Sequence, residues 1–434
     1  MANLKIHIIE LGPVTDCELT PAPVMLFTGK SNLGKSYVNF LSYYVYNFFS
    51  FFSDRITPFL RNKITVDFEN AKEFSFTIKT DEIRRWMEED VKAFFRYLLS
   101  YKDIPCDIQF IFDTDTDKFE FVYKEPDELP ETEAQFFTAS LTVNGVSRNT
   151  FMNKGLKEFY LMYDIKGILC QSLLGKTISR SILFPPGRAS LLSGNFSTQN
   201  RSSRLGMYDI FLRDNDDINR QVMRQTGQEA DNQFFISQIH KLLNGDLQAD
   251  KEGISLVLDN GKRIPLDAAA SSVKELSPLM MWMLTGRIDG QSVCIEEPEA
   301  HLHPEMQIAV ADLLAACVNK GTYMQITTHS DYFMQRVNQL LKLGCLKEKN
   351  EEAFKDYCRR TQHNSRHYLD RKDVNAYYFY TDNGTTKMRL MEIGEEGIPM
   401  STFFNAVDTL AKQEEEINSE TENHAGTNNE DEKA

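Results

Sequence analysis

The sequence predicts an α/β fold, a mixed sheet with flanking helices that is interrupted by a helical/β insertion. Three observations predict it. The apolar run "PVMLF" feeds a loop and then a helix in "FTGKSNLGKSYVNF", Phe27–Phe40. Two later apolar runs, "SVCI" and "YMQITTH", are each followed by a helix signal, the strand–helix rhythm of α/β chains. Between these units, residues 53–253 change pattern.

The first 28 residues alternate apolar and polar in "LKIHIIEL", "DCELT" and "PVMLF", broken by Gly12-Pro13, Pro21 and Pro23, as short strands do. The loop that follows is G-x-x-x-x-G-K-S: Gly29, Gly34, Lys35, Ser36. With a strand before it and a helix after it, this spacing is a phosphate-binding loop. Its backbone N–H groups and the helix N-terminus attract phosphates. Lys35 sits on the β- and γ-phosphates of ATP and the Ser36 hydroxyl on Mg²⁺; Gly29, Asn32 and Gly34 complete the nucleotide contacts.

Residues 1–52 read as the N-terminal part of the core, 53–253 as the insertion or lid, returning to the core near 180–190, and 254–412 as its C-terminal part. Within the insertion, helices are expected at Asp81–Tyr101 and Asn153–Leu174. "CDIQFIF-DTDTDK-FEFVY" reads as a hairpin whose Asp113, Asp115 and Asp117 belong to the turn. Ser193–Asp217 reads as a mobile loop, with a helical stretch running on to Leu243. Beyond Ile254, a hairpin turns at Asp259-Asn260-Gly261. Helices begin near Ser272, at Pro304 and after the cap Ser330-Asp331. A last hairpin turns at Asn383-Gly384.

Three further segments carry chemistry. In "SVCIEEPEAHLHPE" a buried strand ends in two carboxylates that strand geometry points apart: Glu296 to the metal, Glu297 to an attacking water as general base. His301 and His303 lack further ligands at metal-binding spacing. "YMQITTHS" places His329 at the carboxyl edge of the sheet, within reach of a γ-phosphate. In "AASSVKELSPLMMWML", Ser271 and Ser272 open an apolar helix, either as a double cap or as a second anion site.

The order of these segments resembles the ABC-type ATPase head, in the branch of OLD, RecF and SMC-like ATPases. "IEEPEAHLHP" is similar to the E-E-P-E-x-H-L-H-P run of OLD-like ATPases, "ILFPPGRASL" to their Y-I-P-A-E-R segment, and "IIELGPVTDCEL" and "VNAYYFYTDNGTTKMRLMEIGEEGI" to their first and last hairpins. Val273 and Lys274 stand where that family has Gly and Gln, and the TOPRIM domain that OLD nucleases carry is not expected in the residues after Ile393. The resemblance implies a homodimer or higher homo-oligomer that sandwiches two ATP molecules, each held by one subunit's phosphate loop and the other's Ser271 or Ser272. It implies a sensor or scaffold ATPase of bacterial anti-phage defence, like those of PARIS and Septu, with a separately encoded nuclease or toxin as effector. The alternative is a DNA repair or recombination ATPase that clamps nucleic acid; a transporter ATPase is the third use.

Bulk composition bounds these readings. At 434 residues and 41% hydrophobic, the chain has room for two or three domains, or for one core with large insertions. Its seven scattered cysteines read as reduced thiols of a cytoplasmic protein. No signal peptide is expected, and no membrane association. The uncharged stretch Ser36–Ser53 begins inside the phosphate loop and carries Asn39, Ser42, Asn47 and Ser50, so it reads as a buried aromatic helix and not as a membrane span. A net charge of −15 argues against indiscriminate nucleic-acid binding. Ile165–Tyr208 nevertheless lacks acids and carries Lys166, Lys176, Arg180, Arg188, Arg201 and Arg204, either as a solvated surface or as a strip for nucleic-acid phosphates or an acidic partner protein. The tail 413–434 holds eight acids against Lys433 and reads as disordered.

Overall fold

A computed structural model of the chain describes residues 4–127, 136–192, 205–222, 233–250, 253–400 and 409–420. The chain opens with β1 (Leu4–Leu11) and β2 (Val14–Leu19). Strand β3 (Val24–Gly29) then enters the phosphate loop and α1 (Lys35–Phe49) leaves it. Next come α2 (Thr57–Lys63), β4 (Glu73–Lys79), α3 (Thr80–Leu99), β5 (Cys106–Phe112), β6 (Lys118–Lys124), β7 (Phe136–Val143), β8 (Val146–Asn153), α4 (Lys157–Leu174), β9 (Ser181–Phe184) and α5 (Arg188–Leu192). They are followed by α6 (Gly206–Val222), α7 (Gln233–Leu243), β10 (Gly245–Asp250), β11 (Gly253–Leu258), β12 (Arg263–Pro265) and α8 (Ser271–Leu284). The order ends with β13 (Ser292–Glu296), α9 (Pro304–Val318), β14 (Tyr323–Thr327), α10 (Asp331–Lys349), α11 (Glu351–Thr361), β15 (Val374–Asp382) and β16 (Thr385–Leu390).

Nine strands form one mixed sheet in the order β5-β1-β2-β16-β15-β3-β14-β13-β9. From β15 to β9 all neighbours are parallel, whereas β1–β2, β1–β5 and β15–β16 are antiparallel. The central parallel strands β3, β14, β13 and β9 are mainly apolar because both faces are covered, and their polar residues Gln325, Ser292 and Ser181 are buried. On β3, Met25 and Phe27 point into the core that holds α1, α3 and α4; Val24 and Leu26 point into the core that holds α8, α9 and α10. On β13 the same alternation sends Cys294 to the first core and Val293 and Ile295 to the second. Helix α1 is buried as expected, and no helix among the described residues is long and apolar enough to cross a membrane.

The inserted stretch contributes α2, α3, α4 and a second, antiparallel sheet, β4-β6-β7-β8. It also returns two strands to the main sheet, β5 on β1 and β9 on β13. The expected hairpin over 106–123 is therefore not formed: β5 and β6 lie in different sheets. Alternation identified both strands, but alternation carries no information about which strand is the partner.

The loop expected to run to Asp217 gives way to α6 at Gly206, whose Met207, Ile210, Phe211 and Ile218 are buried at helical spacing beneath a polar composition. The upstream part of that loop, 193–204, lies outside the described residues. At the acidic tail, residues 409–420 form an exposed helix, as a glutamate-rich segment tolerates well. The rest of the tail lies outside the described residues.

Candidate nucleotide site

Sheet register gathers the site. Glu296 pairs with Thr327, and Thr327 with Phe27, so the ends of β13, β14 and β3 emerge side by side at the carboxyl edge, where α/β folds bind ligands. Two glycines shape the loop between β3 and α1. Gly29 has φ +127° and a Cβ there would lie 2.5 Å from the Phe379 carbonyl; Gly34 has φ +82° and a Cβ would meet Val14 Cγ2 at 2.7 Å. The phosphate loop is thus seated on the first hairpin's turn and on β15. Asn32 also has positive φ and is exposed.

Lys35 is buried, and its Nζ donates to the carbonyls of Gly29 (3.2 Å) and Lys30 (2.7 Å). Burial lowers its pKa to about 8, against the opposing pull of Glu296 and Glu297. Ser36 Oγ donates to Glu296 Oε2 at 2.5 Å, and Asn39 Nδ2 to Glu296 Oε1 at 2.7 Å. Glu296 is 2% exposed, and burial raises its pKa while the bonds from Ser36, Asn39 and Thr327 oppose that rise. The meeting of a hydroxyl with a carboxylate supplies the hard oxygen donors that Mg²⁺ takes, so Ser36 and Glu296 fit an ion carried in with ATP.

Glu296 and Glu297 diverge, but not by strand alternation. Glu296 follows Cys294 onto the α1 face, and β13 ends there. Glu297 has φ +44° and is exposed, with its N–H held by Thr327 O and Oγ1, both at 3.2 Å. A left-handed residue that is not glycine is uncommon and persists only where its surroundings enforce it. Here it leaves the second carboxylate at the surface, where its charge acts on Lys35.

His329 lies two residues beyond the end of β14 and is exposed. Partial desolvation of the ring and the Lys35 charge lower its pKa, and Glu297 opposes them, so the ring shares one electrostatic neighbourhood with both. The buried Glu299 fixes the backbone there: its Oε1 accepts from Thr328 Oγ1 at 2.7 Å and from His329 N at 2.8 Å. The phosphate loop, Glu296, Glu297 and His329 are therefore brought together.

Ser271 and Ser272 stand apart, at the start of α8, which packs against α5, α6 and α7. The helix is capped by the Ala270 position with no side-chain bond. Ser271 is exposed and Ser272 half-buried.

Sequence reading missed Asn39, Glu299 and the role of Arg188. Asn39 lies one helical turn after Ser36 and so on the same face of α1, a spacing that was legible. Glu299 stood in the quoted E-E-P-E run. Of the basic strip, Lys166 and Arg188 are buried, Lys166 donating to the Phe51 and Ser53 carbonyls; Arg180 pairs with Asp214 and Asp217. Lys166, Arg180 and Arg188 thus have partners within the chain. Arg201 and Arg204 lie outside the described residues. His303 caps α9, its Nδ1 accepting from Glu305 N at 3.4 Å. No cluster of three or more His, Cys, Asp or Glu suited to a metal occurs among the described residues.

Residues 197–334 match the family model of an AAA ATPase domain. That span carries Ser271, Ser272, Glu296, Glu297 and His329 and leaves the phosphate loop outside it. No curated protein matches the chain. Among solved structures, the chain is similar to the SMC head domain from Thermotoga maritima, at 12% identity and TM-score 0.35, over 91% of this chain and 100% of that one. It is also similar to an SMC head bound to the C-winged helix domain of ScpA (12%, TM-score 0.37, 90% and 98%). A third is an SMC head with an extended coiled coil, bound to the C-terminal domain of ScpA derived from Pyrococcus furiosus (12%, TM-score 0.37, 96% and 100%). With its phosphate loop between β3 and α1 and its mixed nine-stranded sheet under flanking helices, the chain has the α/β fold of a P-loop ATPase.

Proposed function

We propose that the chain hydrolyses ATP to ADP and phosphate. One observation carries this reading: Glu296 is drawn to Ser36 at 2.5 Å, while Glu297 is turned outward into the neighbourhood of Lys35 and His329. In this reading Lys35 leaves its loop carbonyls for the β- and γ-phosphates, and Ser36 and Glu296 would hold Mg²⁺. The ion, when bound, offsets phosphate charge. Glu297 takes a proton from the attacking water, whose oxygen bonds the γ-phosphorus as the bond to the bridging oxygen breaks. His329 donates toward the γ-phosphate oxygens.

The experiment is a pair of substitutions. Glu297→Gln keeps ATP binding and loses turnover by about 10²–10⁴-fold, the usual contribution of a general base. If Glu296→Gln gives that phenotype and Glu297→Gln does not, the two roles are reversed.

The wider role we propose is a dimer closed around ATP that gates a separate effector in anti-phage defence. The motif resemblance supports it, and the internal use of Lys166, Arg180 and Arg188 supports it over direct clamping of nucleic acid. Purification from the native host tests it: a stoichiometric protein partner is expected, and co-purifying DNA without such a partner would favour the repair ATPase instead.

A further inference from the structure

Arg188 is 1% exposed and touches two places that lie far apart in sequence. Its Nε donates to the Glu275 carbonyl at 2.9 Å and pairs with Glu275 Oε2 at 3.0 Å. Its Nη1 donates to the Glu296 carbonyl at 2.7 Å and to the Pro185 carbonyl at 3.2 Å. Glu275 in turn accepts from Ala189 N at 3.3 Å. A planar guanidinium with its donors in a fixed fork makes such contacts together; a lysine ammonium, a single point of charge, does not.

The Glu296 carbonyl belongs to the peptide that joins the two site carboxylates. Arg188 holds the C=O side of that peptide, and Thr327 holds its N–H side at 3.2 Å. Clamped on both sides, the peptide delivers Glu297 at φ +44°, with its carboxylate outward and that of Glu296 inward. The other end of the same guanidinium is fixed to Glu275, one turn into α8 from Ser271 and Ser272.

We propose that Arg188 is a positioning residue for ATP hydrolysis: it ties α8 to the Glu296–Glu297 peptide, so the placement of that helix sets the aim of the Glu297 carboxylate. The proposal rests on the ATPase reading above. It assigns Arg188 no contact with nucleotide.

The test uses the full chain and two variants. Arg188→Lys keeps the charge and loses the fork. Arg188→Met with Glu275→Leu removes both buried charges together, a replacement that buried ion pairs often tolerate without loss of stability. In both, kcat for ATP falls by about 10- to 100-fold, the effect of misaligning a reacting group by about an ångström. KM for ATP and the affinity for a fluorescent ATP analogue stay close to wild type, because the phosphate loop is untouched.

A folded double variant with wild-type kcat overturns the proposal, as does a rise in KM with kcat unchanged. If thermal unfolding shows the double variant unfolded, Arg188→Lys decides by the same two criteria. A wild-type chain that binds ATP and does not turn it over overturns the hydrolase reading and this proposal together. An active wild type with an equally active folded variant overturns this proposal alone.

Discussion

Two of the buried glutamates around the site, Glu296 and Glu275, are held in different ways. Glu296, at the phosphate-loop end, is held by the neutral donors Ser36 and Asn39. Glu275, at the α8 end, is held by the guanidinium of Arg188. A carboxylate bonded to a hydroxyl and an amide keeps its charge available to an incoming cation. A carboxylate paired with a buried guanidinium is already neutralised, and separating that pair costs about 3–5 kcal/mol. The difference separates a binding position from a tie. Glu296 is built to exchange a partner, and Glu275 is built to keep one.

The sharpest way to break this comparison is at Lys35. Lys35→Ala removes the cation of the phosphate-loop end, and ATP binding, measured by titration with a fluorescent analogue, is expected to be lost. Wild-type affinity in that variant would move the nucleotide elsewhere. The α8 end is probed by the double variant Ser271→Ala, Ser272→Ala. It is expected to bind ATP through its own Lys35 and to fail in turnover, because in the dimer reading those hydroxyls serve the opposite subunit. Its thermal stability should stay near wild type, since neither side chain forms a cap; a loss of about 0.5–2 kcal/mol would instead mark a cap. Full activity in this variant means that the hydrolytic site is complete within one chain.

The smallest effect is a slope with pH. The Lys35 pKa is about 8 in the free protein, and phosphate contact raises it. ATP binding is therefore coupled to proton uptake above that value. Affinity should be level below pH 8 and weaken by up to about tenfold per pH unit above it. For folding the sign is opposite. The lysine binds its proton less tightly in the folded chain than in the unfolded one, so its unfavourable contribution is present below pH 8 and is relieved as pH rises toward 10.5. A Kd that does not change between pH 7.5 and 9 would mean that Lys35 does not meet the phosphates.

The contrast also marks what could be read in advance. The phosphate loop was legible because its function is written in eight contiguous residues whose glycines and lysine have fixed tasks. The segments of β13 and β14 were legible because strands covered on both faces are mostly apolar, and the carboxylates and the histidine at their ends stand out. Asn39 was visible as a polar residue inside an aromatic helix and was read only as evidence against a membrane span. Arg188 was read among surface cations because nothing in its neighbourhood, "PPGRASL", announces burial. Its partners Glu275 and Glu296 lie 87 and 108 residues away.

By itself the sequence determined the α/β rhythm, the phosphate loop and the residue types at the sheet's carboxyl edge, because local spacing and apolar period constrain those directly. The tertiary structure alone decided which strand pairs with which. β5 left its apparent hairpin for the main sheet, since alternation shows which face is buried and not against what. It also decided where the two adjacent carboxylates point, because a positive φ at Glu297 is enforced by Thr327 and Arg188 from other segments. And it decided the use of the basic residues: Lys166 is buried on backbone carbonyls and Arg188 on Glu275 because the fold brings those acceptors beside them.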